Sequence, residues 1–271
     1  MSGRDNLPED LLALALDTAR AAAALVAEHR RAGVEVAATK SSVSDVVTEA
    51  DRASEELIRS RILAARPDDG FLGEEGTSFD GTSGIRWVVD PIDGTVNFLY
   101  GIPSYAVSVA AQSMAGPEPE TVAGVVLDVS TGAAYTAIPG AGAFRDGVRL
   151  GVRAPAPMAE RLVLTGFNYS AELRRIQAAA VGRMLPQVRD IRRLGSCALD
   201  LCRVAEGSAD AYVEEGISDW DHAAGDLIAR EAGAVVELTT GVGGNDALIC
   251  APAHGFADFR TLVADCGFLA A

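Results

Sequence analysis

The 271-residue sequence has no apolar run of about 18 residues, because Arg, Asp, Glu or Gly interrupts every hydrophobic stretch, and this excludes a transmembrane helix. The first ten residues lack the basic start and apolar core of a secretory signal. They carry Arg4, Asp5, Glu9 and Asp10 instead, so export by that route is not expected. Cationic residues are scarce as well: 23 Lys plus Arg stand against 38 Asp plus Glu, a net charge of −15. Broad affinity for nucleic acid or for an anionic membrane surface needs surplus cation and is not expected, which leaves cations and small molecules as partners. Four cysteines (Cys197, Cys202, Cys250, Cys266) fall late in the chain without a C-x-x-C pair, and only His29, His222 and His254 accompany them. A zinc site or disulfide framework is therefore not expected, and a reducing cytoplasm fits best.

What is present is a large apolar fraction, 49%, in a chain long enough for one large domain or two intimate halves. Leu7 to His29 reads as an amphipathic helix, with Pro8 in its first turn, Glu9 and Asp10 at its positive end and Gly33 beyond its finish. A second helix is expected from about Thr48, a capping residue, to Ala65, with Ala53, Leu57 and Ile58 on its apolar side. From Phe71 the texture changes to β-branched runs divided by Gly and Pro. Strands are expected at Arg86–Asp90, Tyr105–Ala111, Val122–Val129 and Ala133–Ile138, in an antiparallel arrangement with turns at Thr131-Gly132 and Asp146-Gly147. After about residue 155 strands and helices alternate: strands at Arg161–Thr165, Asp190–Leu194, Ala211–Glu214, Ala234–Leu238 and Ala247–Cys250, helices at Glu172–Leu185, Cys197–Glu206, His222–Ala232 and Phe256–Cys266. That alternation implies a layered α/β half, and Ala154-Pro155-Ala156-Pro157 is the expected seam between halves of about 1–153 and 158–271.

The densest chemistry lies at Trp87-Val88-Val89-Asp90-Pro91-Ile92-Asp93-Gly94-Thr95-Val96-Asn97-Phe98. An apolar strand delivers Asp90, Pro91 is expected to stop it, and Asp93 follows in a turn that Gly94 closes. Gly94 and Thr95 then open a short helix whose free N–H groups could hold a phosphate beside the two carboxylates. Carboxylates and phosphate repel each other, so the pattern makes sense with hard divalent cations between them, Mg²⁺ first. Gly73-Glu74-Glu75-Gly76 follows the apolar pair Phe71-Leu72 and places acids at another strand end. Asp219-Trp220-Asp221-His222-Ala223-Ala224-Gly225 sets Asp221 at a helix start, with small residues that permit close approach of another element. Lys40 to Asp51 supplies a basic residue and further acids around a helix start. Taken singly, each segment also reads as a turn, a solvated loop or a cap.

Taken together, they resemble the inositol monophosphatase family, the Mg²⁺-dependent, lithium-inhibited phosphatases related to fructose-1,6-bisphosphatase. The matching patterns are K-x-x-x-x-D-x-x-T-x-x-D at Lys40 to Asp51, G-E-E at Gly73 to Glu75, W-V-x-D-P-I-D-G-T-x-N-F at Trp87 to Phe98, R-x-G-S-x-A-x-D-L-C at Arg193 to Cys202, and W-D-x-A-A-G at Trp220 to Gly225. The resemblance implies an αβαβα sandwich, a homodimer, and a site for two to three Mg²⁺. In it Glu74, Asp90 and the main-chain carbonyl of Ile92 would hold one ion, Asp90, Asp93 and Asp221 a second, and Glu74 would help hold a weaker third. It further implies that Thr95 and Asp51 orient the attacking water and that the Gly94 and Thr95 amides contact phosphate. By the same resemblance Asp93, Gly195, Cys197, Glu214 and Asp221 would face the polyol.

Two metal ions about 3.5–4 Å apart can activate a water on one side of phosphorus and stabilise the leaving alkoxide on the other, so no protein nucleophile is needed. The D-x-x-D spacing differs from the D-x-D-x-T of aspartate-nucleophile phosphatases, and neither a G-x-S-x-G elbow nor a G-x-x-x-x-G-K-[ST] loop occurs. Two departures stand out. Cys197 replaces the family's usual Ala, and Val43 replaces a Pro common in the first motif, which would loosen the loop carrying Lys40. The expected reaction is hydrolysis of myo-inositol monophosphate. Fructose 1,6-bisphosphate, phosphoadenosine phosphate, histidinol phosphate or several sugar phosphates are the alternatives, and a regulatory protein of the same fold is an alternative of another class.

Overall fold

A computed structural model describes residues 7–33, 36–39 and 46–270. Lys40 to Asp45, with Val43, lie outside the described residues. The chain opens with α1 (Pro8–Ala32), followed by the short strands β1 (Val36–Thr39) and β2 (Val46–Thr48), then α2 (Glu49–Ala65), β3 (Gly70–Gly73), β4 (Ser78–Phe79), β5 (Ile85–Asp93) and α3 (Thr95–Tyr100). It continues with β6 (Ala106–Ser113), β7 (Glu120–Asp128), β8 (Ala134–Ile138), β9 (Gly142–Arg145) and β10 (Val148–Arg149). The second part holds β11 (Leu162–Thr165), α4 (Ala171–Met184), β12 (Asp190–Arg192), α5 (Cys197–Ala205), β13 (Ala211–Glu215), α6 (Asp219–Glu231), β14 (Ala234–Thr240), β15 (Asp246–Pro252) and α7 (Phe256–Asp265).

An eight-stranded sheet runs in the order β10-β9-β8-β7-β6-β5-β3-β4 and a five-stranded sheet in the order β12-β11-β13-β15-β14. Four apolar clusters separate five layers. The outer face of the large sheet is covered by α1 and α2, whose buried Leu11, Ala15, Ala19, Ala22, Val26, Ile58 and Ile62 recur at helical spacing against Trp87, Val89, Val107, Val109 and Val125. Its inner face packs Val88, Ala110 and Val126 on Ala198, Cys202, Ala224 and Ile228 of α5 and α6. The other side of those helices meets the small sheet through Leu201, Val204, Tyr212 and Leu248. Helices α4 and α7 close the far face with Ala180, Met184, Phe259 and Val263. The result is the expected αβαβα sandwich.

Small residues make the middle layer thin. A Cβ on Gly225 of α6 would sit 2.8 Å from Leu201 Cδ1 and 3.0 Å from Leu201 Cβ, so the W-D-x-A-A-G helix lies directly on α5.

Three local expectations need correction. The large sheet is not wholly antiparallel, because β3 runs parallel to β5, with Gly73 opposite Val89. The small sheet also mixes directions: β15 runs antiparallel to β13 and β14, while β11 runs parallel to β12 and β13. Pro91 does not stop its strand. β5 continues to Asp93 because the pairing with β6 shifts register between Asp90 and Asp93, a bulge that requires no N–H from the proline. Finally, α6 begins at Asp219 rather than His222, since Ser218 caps it in a box with Asp221. The strands β1, β2, β4, β9 and β10, each of two to four residues, carried too little periodicity to be read.

Candidate active site

The parallel pairing of β3 with β5 brings two strand ends to one edge. Glu74, whose N–H donates to the Val89 carbonyl at 3.2 Å, therefore leaves β3 beside Asp90. The bulge then carries Ile92 and Asp93 to the same rim: the Ile92 N–H donates to Asp90 Oδ1 at 2.9 Å, and both aspartates are buried. Gly94 follows at φ 99°, a left-handed conformation that glycine adopts without strain, and N-caps the six-residue α3. A side chain there would also meet the Ser104 carbonyl at 2.9 Å and the Gly195 carbonyl at 3.0 Å.

Two capping boxes supply further acids. In α2 the Thr48 hydroxyl and N–H donate to Asp51 Oδ2 at 2.5 and 2.8 Å. The other oxygen of Asp51 lies 3.1 Å from the Thr95 hydroxyl, which is equally 3.1 Å from the Ile92 carbonyl. In α6 the Ser218 N–H donates to Asp221 Oδ2 at 2.6 Å, which fixes that carboxylate at N3 and turns its other oxygen toward the β5 rim. Carboxylate oxygens of Asp90, Asp93 and Asp221 all lie within 4.8 Å of one another.

Asp93 is held from the second half of the molecule. Ser196 Oγ donates to Asp93 Oδ2 at 2.5 Å, the Ala198 N–H to the same oxygen at 2.7 Å, and the Cys197 N–H to Oδ1 at 3.3 Å. The N-terminus of α5 thus grips a carboxylate from the large sheet. Asn97 of α3 fastens the two pieces: its Nδ2 donates to the Ser104 carbonyl at 2.7 Å and the Leu194 carbonyl at 2.6 Å. Ser196 and Asn97 escaped the sequence reading, although Ser one residue before a helix is a cap signal and Asn97 sits inside the densest motif.

All these groups except Asp51 open on one cleft of about 330 Å³, whose lining includes Glu74, Asp90, Ile92, Asp93, Gly94, Thr95, Gly195, Cys197, Glu214 and Asp221. Asp51 stands fully buried behind Thr95. Tyr212 donates to Glu214 Oε2 at 2.6 Å and fixes that acid on the far wall. Cys197 is buried at the first position of α5, and burial together with the nearby carboxylates Glu214, Asp221 and Asp93 pushes its thiol well up. It is a packing residue there, not a thiolate nucleophile. Phe167, Tyr169 and Arg193 complete the mouth and were not singled out as site residues from the sequence.

The electrostatics of the cleft are one-sided. Burial, then the charges of Glu74, Asp93 and Asp221, hold the Asp90 carboxyl well above its ordinary value. Asp221 is raised in the same direction by burial and by Asp93 and Glu74. Burial lifts Asp93 to about 6 in spite of its three donors, and lifts Asp51 to about 6. No arginine lies among the groups acting on Asp90, Asp93 or Asp221. The donor set is carboxylate and carbonyl oxygen without sulfur or imidazole, which suits a hard divalent cation and offers nothing that zinc would prefer. The residues present fit such an ion.

The model of the inositol monophosphatase family matches residues 7–260. The chain belongs to the inositol monophosphatase family. The inositol-1-monophosphatase of Mycobacterium leprae (strain TN) is 45% identical over 278 residues, covering 95% of this chain and 94% of that protein. The Nus factor SuhB of Pasteurella multocida (strain Pm70) is 39% identical over 228 residues, covering 83% of this chain and 84% of its own. Among solved structures, Mycobacterium tuberculosis SuhB matches with a TM-score of 0.83 and 40% identity, over 98% of this chain and 100% of that one. No helix among the described residues is long and apolar enough to cross a membrane.

Proposed function

We propose that this family member hydrolyses myo-inositol monophosphate to inositol and phosphate with Mg²⁺ as cofactor. The observation that carries the reading is the convergence of Asp90, Asp93 and Asp221 on one point at the foot of a cleft that also receives Glu74, Gly94 and Thr95. Glu74, Asp90 and the Ile92 carbonyl would hold one Mg²⁺; Asp90, Asp93 and Asp221 would hold another; Glu74 would share a third. Bound there, the ions would supply a hydroxide nucleophile near neutral pH and neutralise charge on the phosphoryl oxygens. The α5 N-terminus keeps both Asp93 oxygens oriented, so the ligand geometry exists before substrate arrives. With its proton directed to Asp51, the Thr95 hydroxyl accepts from the attacking water and aims it at phosphorus. The Gly94 and Thr95 amides, free at the start of α3, receive phosphate oxygens. Glu214, with Gly195 and Cys197, borders the part of the cleft where polyol hydroxyls would lie, and its Tyr212 bond fixes the acceptor geometry.

The proposal includes a homodimer in the cytoplasm, supported by the family resemblance and by four buried free cysteines. Phosphate release from inositol 1-phosphate, fructose 1,6-bisphosphate, phosphoadenosine phosphate and histidinol phosphate, with and without Mg²⁺ and with added Li⁺, tests it. Mg²⁺-dependent, Li⁺-inhibited preference for inositol 1-phosphate is the expected result; preference for another substrate overturns the role given to Glu214. The likeness to the Pasteurella Nus factor supports a second reading, a regulatory protein. Full partner binding by metal-free protein that hydrolyses none of the four esters would favour it.

A further inference from the structure

The catalytic cleft is open at its outer end. Val96, Phe167, Tyr169 and Arg193, which line its mouth, also line a second cavity of about 390 Å³ that Arg174 and Ala178 complete. The two spaces are continuous and chemically opposite. The inner one is walled by carboxylates, whereas the outer one has two guanidinium groups, two aromatic rings and no carboxylate in its lining.

In a chain of net charge −15, arginines are readily taken up by acids: Arg66 pairs with Asp69, Arg203 with Asp200 and Arg230 with Asp226. Arg174 and Arg193 form no ion pair among the described residues. Arg174 is positioned by its neighbours, with Nε donating to the Asn168 carbonyl at 2.6 Å and the guanidinium 5.8 Å from the centre of the Tyr169 ring. Its two terminal nitrogens remain available to a ligand. Arg193 lies at the boundary of the two spaces beside Gly195, and it acts on Glu214 through its field from beyond ion-pair distance. Guanidinium is the side-chain group best matched to phosphate, because its planar fork offers paired donors in fixed geometry. Between the two ends, Val96, Phe167 and Tyr169 present an apolar wall suited to a carbon frame.

We infer that the outer cavity is an anion subsite that selects phosphomonoesters carrying a second phosphate at the end of the scaffold remote from the scissile one. The inference rests on the phosphatase reading and specifies the substrate class that the cleft favours. The scissile phosphate sits at the α3 N-terminus, the carbon frame crosses the aromatic wall, and the second phosphate lies between Arg193 and Arg174.

Straight-chain diol bisphosphates of three to eight carbons, each compared with the alkyl monophosphate of equal length, provide the test. Phosphate release is measured with Mg²⁺, and binding by calorimetry with Ca²⁺ in its place, so that affinity is read without turnover. At the best-fitting length we expect the bisphosphate to be bound and hydrolysed about tenfold better than its partner, beyond the statistical factor of two, with Arg174→Gln cutting that advantage at least about fivefold and Arg174→Gln/Arg193→Gln removing it. Both side chains are exposed, so the variants should fold, which circular dichroism checks. An advantage no greater than the statistical factor at every length, or one that survives the double substitution, overturns the inference. Inositol 1-phosphate in the same assay keeps the two readings apart. If wild type hydrolyses it without preferring any bisphosphate, the subsite fails and the phosphatase reading stands. If wild type hydrolyses no ester, the phosphatase reading fails and the Ca²⁺ binding ratios still decide on the subsite.

Discussion

Replacing Asn97 with leucine tests how the site is held together. The side chains have similar volume, but leucine cannot donate, so the Ser104 and Leu194 carbonyls lose the Nδ2 donor they share at 2.7 and 2.6 Å. Asn97 is 5% exposed, which leaves little room for water to replace it. A buried acceptor stripped of its partner costs about 1–3 kcal/mol, so two of them should cost about 2–4 kcal/mol after partial relaxation. Against a typical stability of about 5–15 kcal/mol the variant remains folded, and urea denaturation can measure the loss. A second readout separates clamp from filler. Residues 194–198 carry the three donors that orient Asp93, so freeing the Leu194 end should weaken Mg²⁺ half-saturation about tenfold, equivalent to about 1.4 kcal/mol. A stability loss below about 1 kcal/mol would refute the clamp. A large loss with unchanged Mg²⁺ affinity would refute its connection to Asp93.

Asp93→Asn should lower Mg²⁺-dependent turnover by orders of magnitude while far-UV circular dichroism is preserved; wild-type turnover in that variant would sink the metal-site assignment. For the metal-free protein, Asp93 and Asp51 have folded values of about 6 against about 3.8 unfolded, so between those values the folded chain binds more protons. Metal-free stability should accordingly fall as pH rises from about 4 to 6 and level off above, and saturating Mg²⁺ should remove most of that loss. Calorimetric melting at pH 5 and pH 8, with chelator or with Mg²⁺, reads the sign; metal-free protein that melts higher at pH 8 would contradict it. Cys197→Ala should keep turnover within about threefold, and the native thiol should resist alkylation until the protein unfolds, since burial and the surrounding carboxylates suppress its thiolate. Rapid native-state labelling at Cys197 would overturn its packing role.

Much of this molecule was legible locally. Periodicity revealed the major helices and most longer strands, since a buried stripe on α1 or α2 repeats within one stretch of chain. Both capping boxes follow from a Thr or Ser three residues before an Asp, and Gly94 marks its turn by conformational freedom alone. The identities of Glu74, Asp90, Asp93 and Asp221 as the acids of interest, and of Thr95 and Asp51 as their companions, came from short motifs.

Tertiary structure alone decided how those motifs meet. Parallel pairing of β3 with β5 sets Glu74 beside Asp90, and no local pattern states the direction of a strand partner. Pro91 misled because a strand-stopping residue is harmless at a bulge, and the bulge exists only through β6. Ser196 reaches Asp93 across 103 residues of sequence, and Arg174 and Arg193 share a cavity only after β11, β12 and α4 have packed. Propensity, capping and turn geometry act over a few residues and are written in order along the chain, whereas register, layer stacking and the charge balance of a cleft are properties of surfaces that come together only on folding.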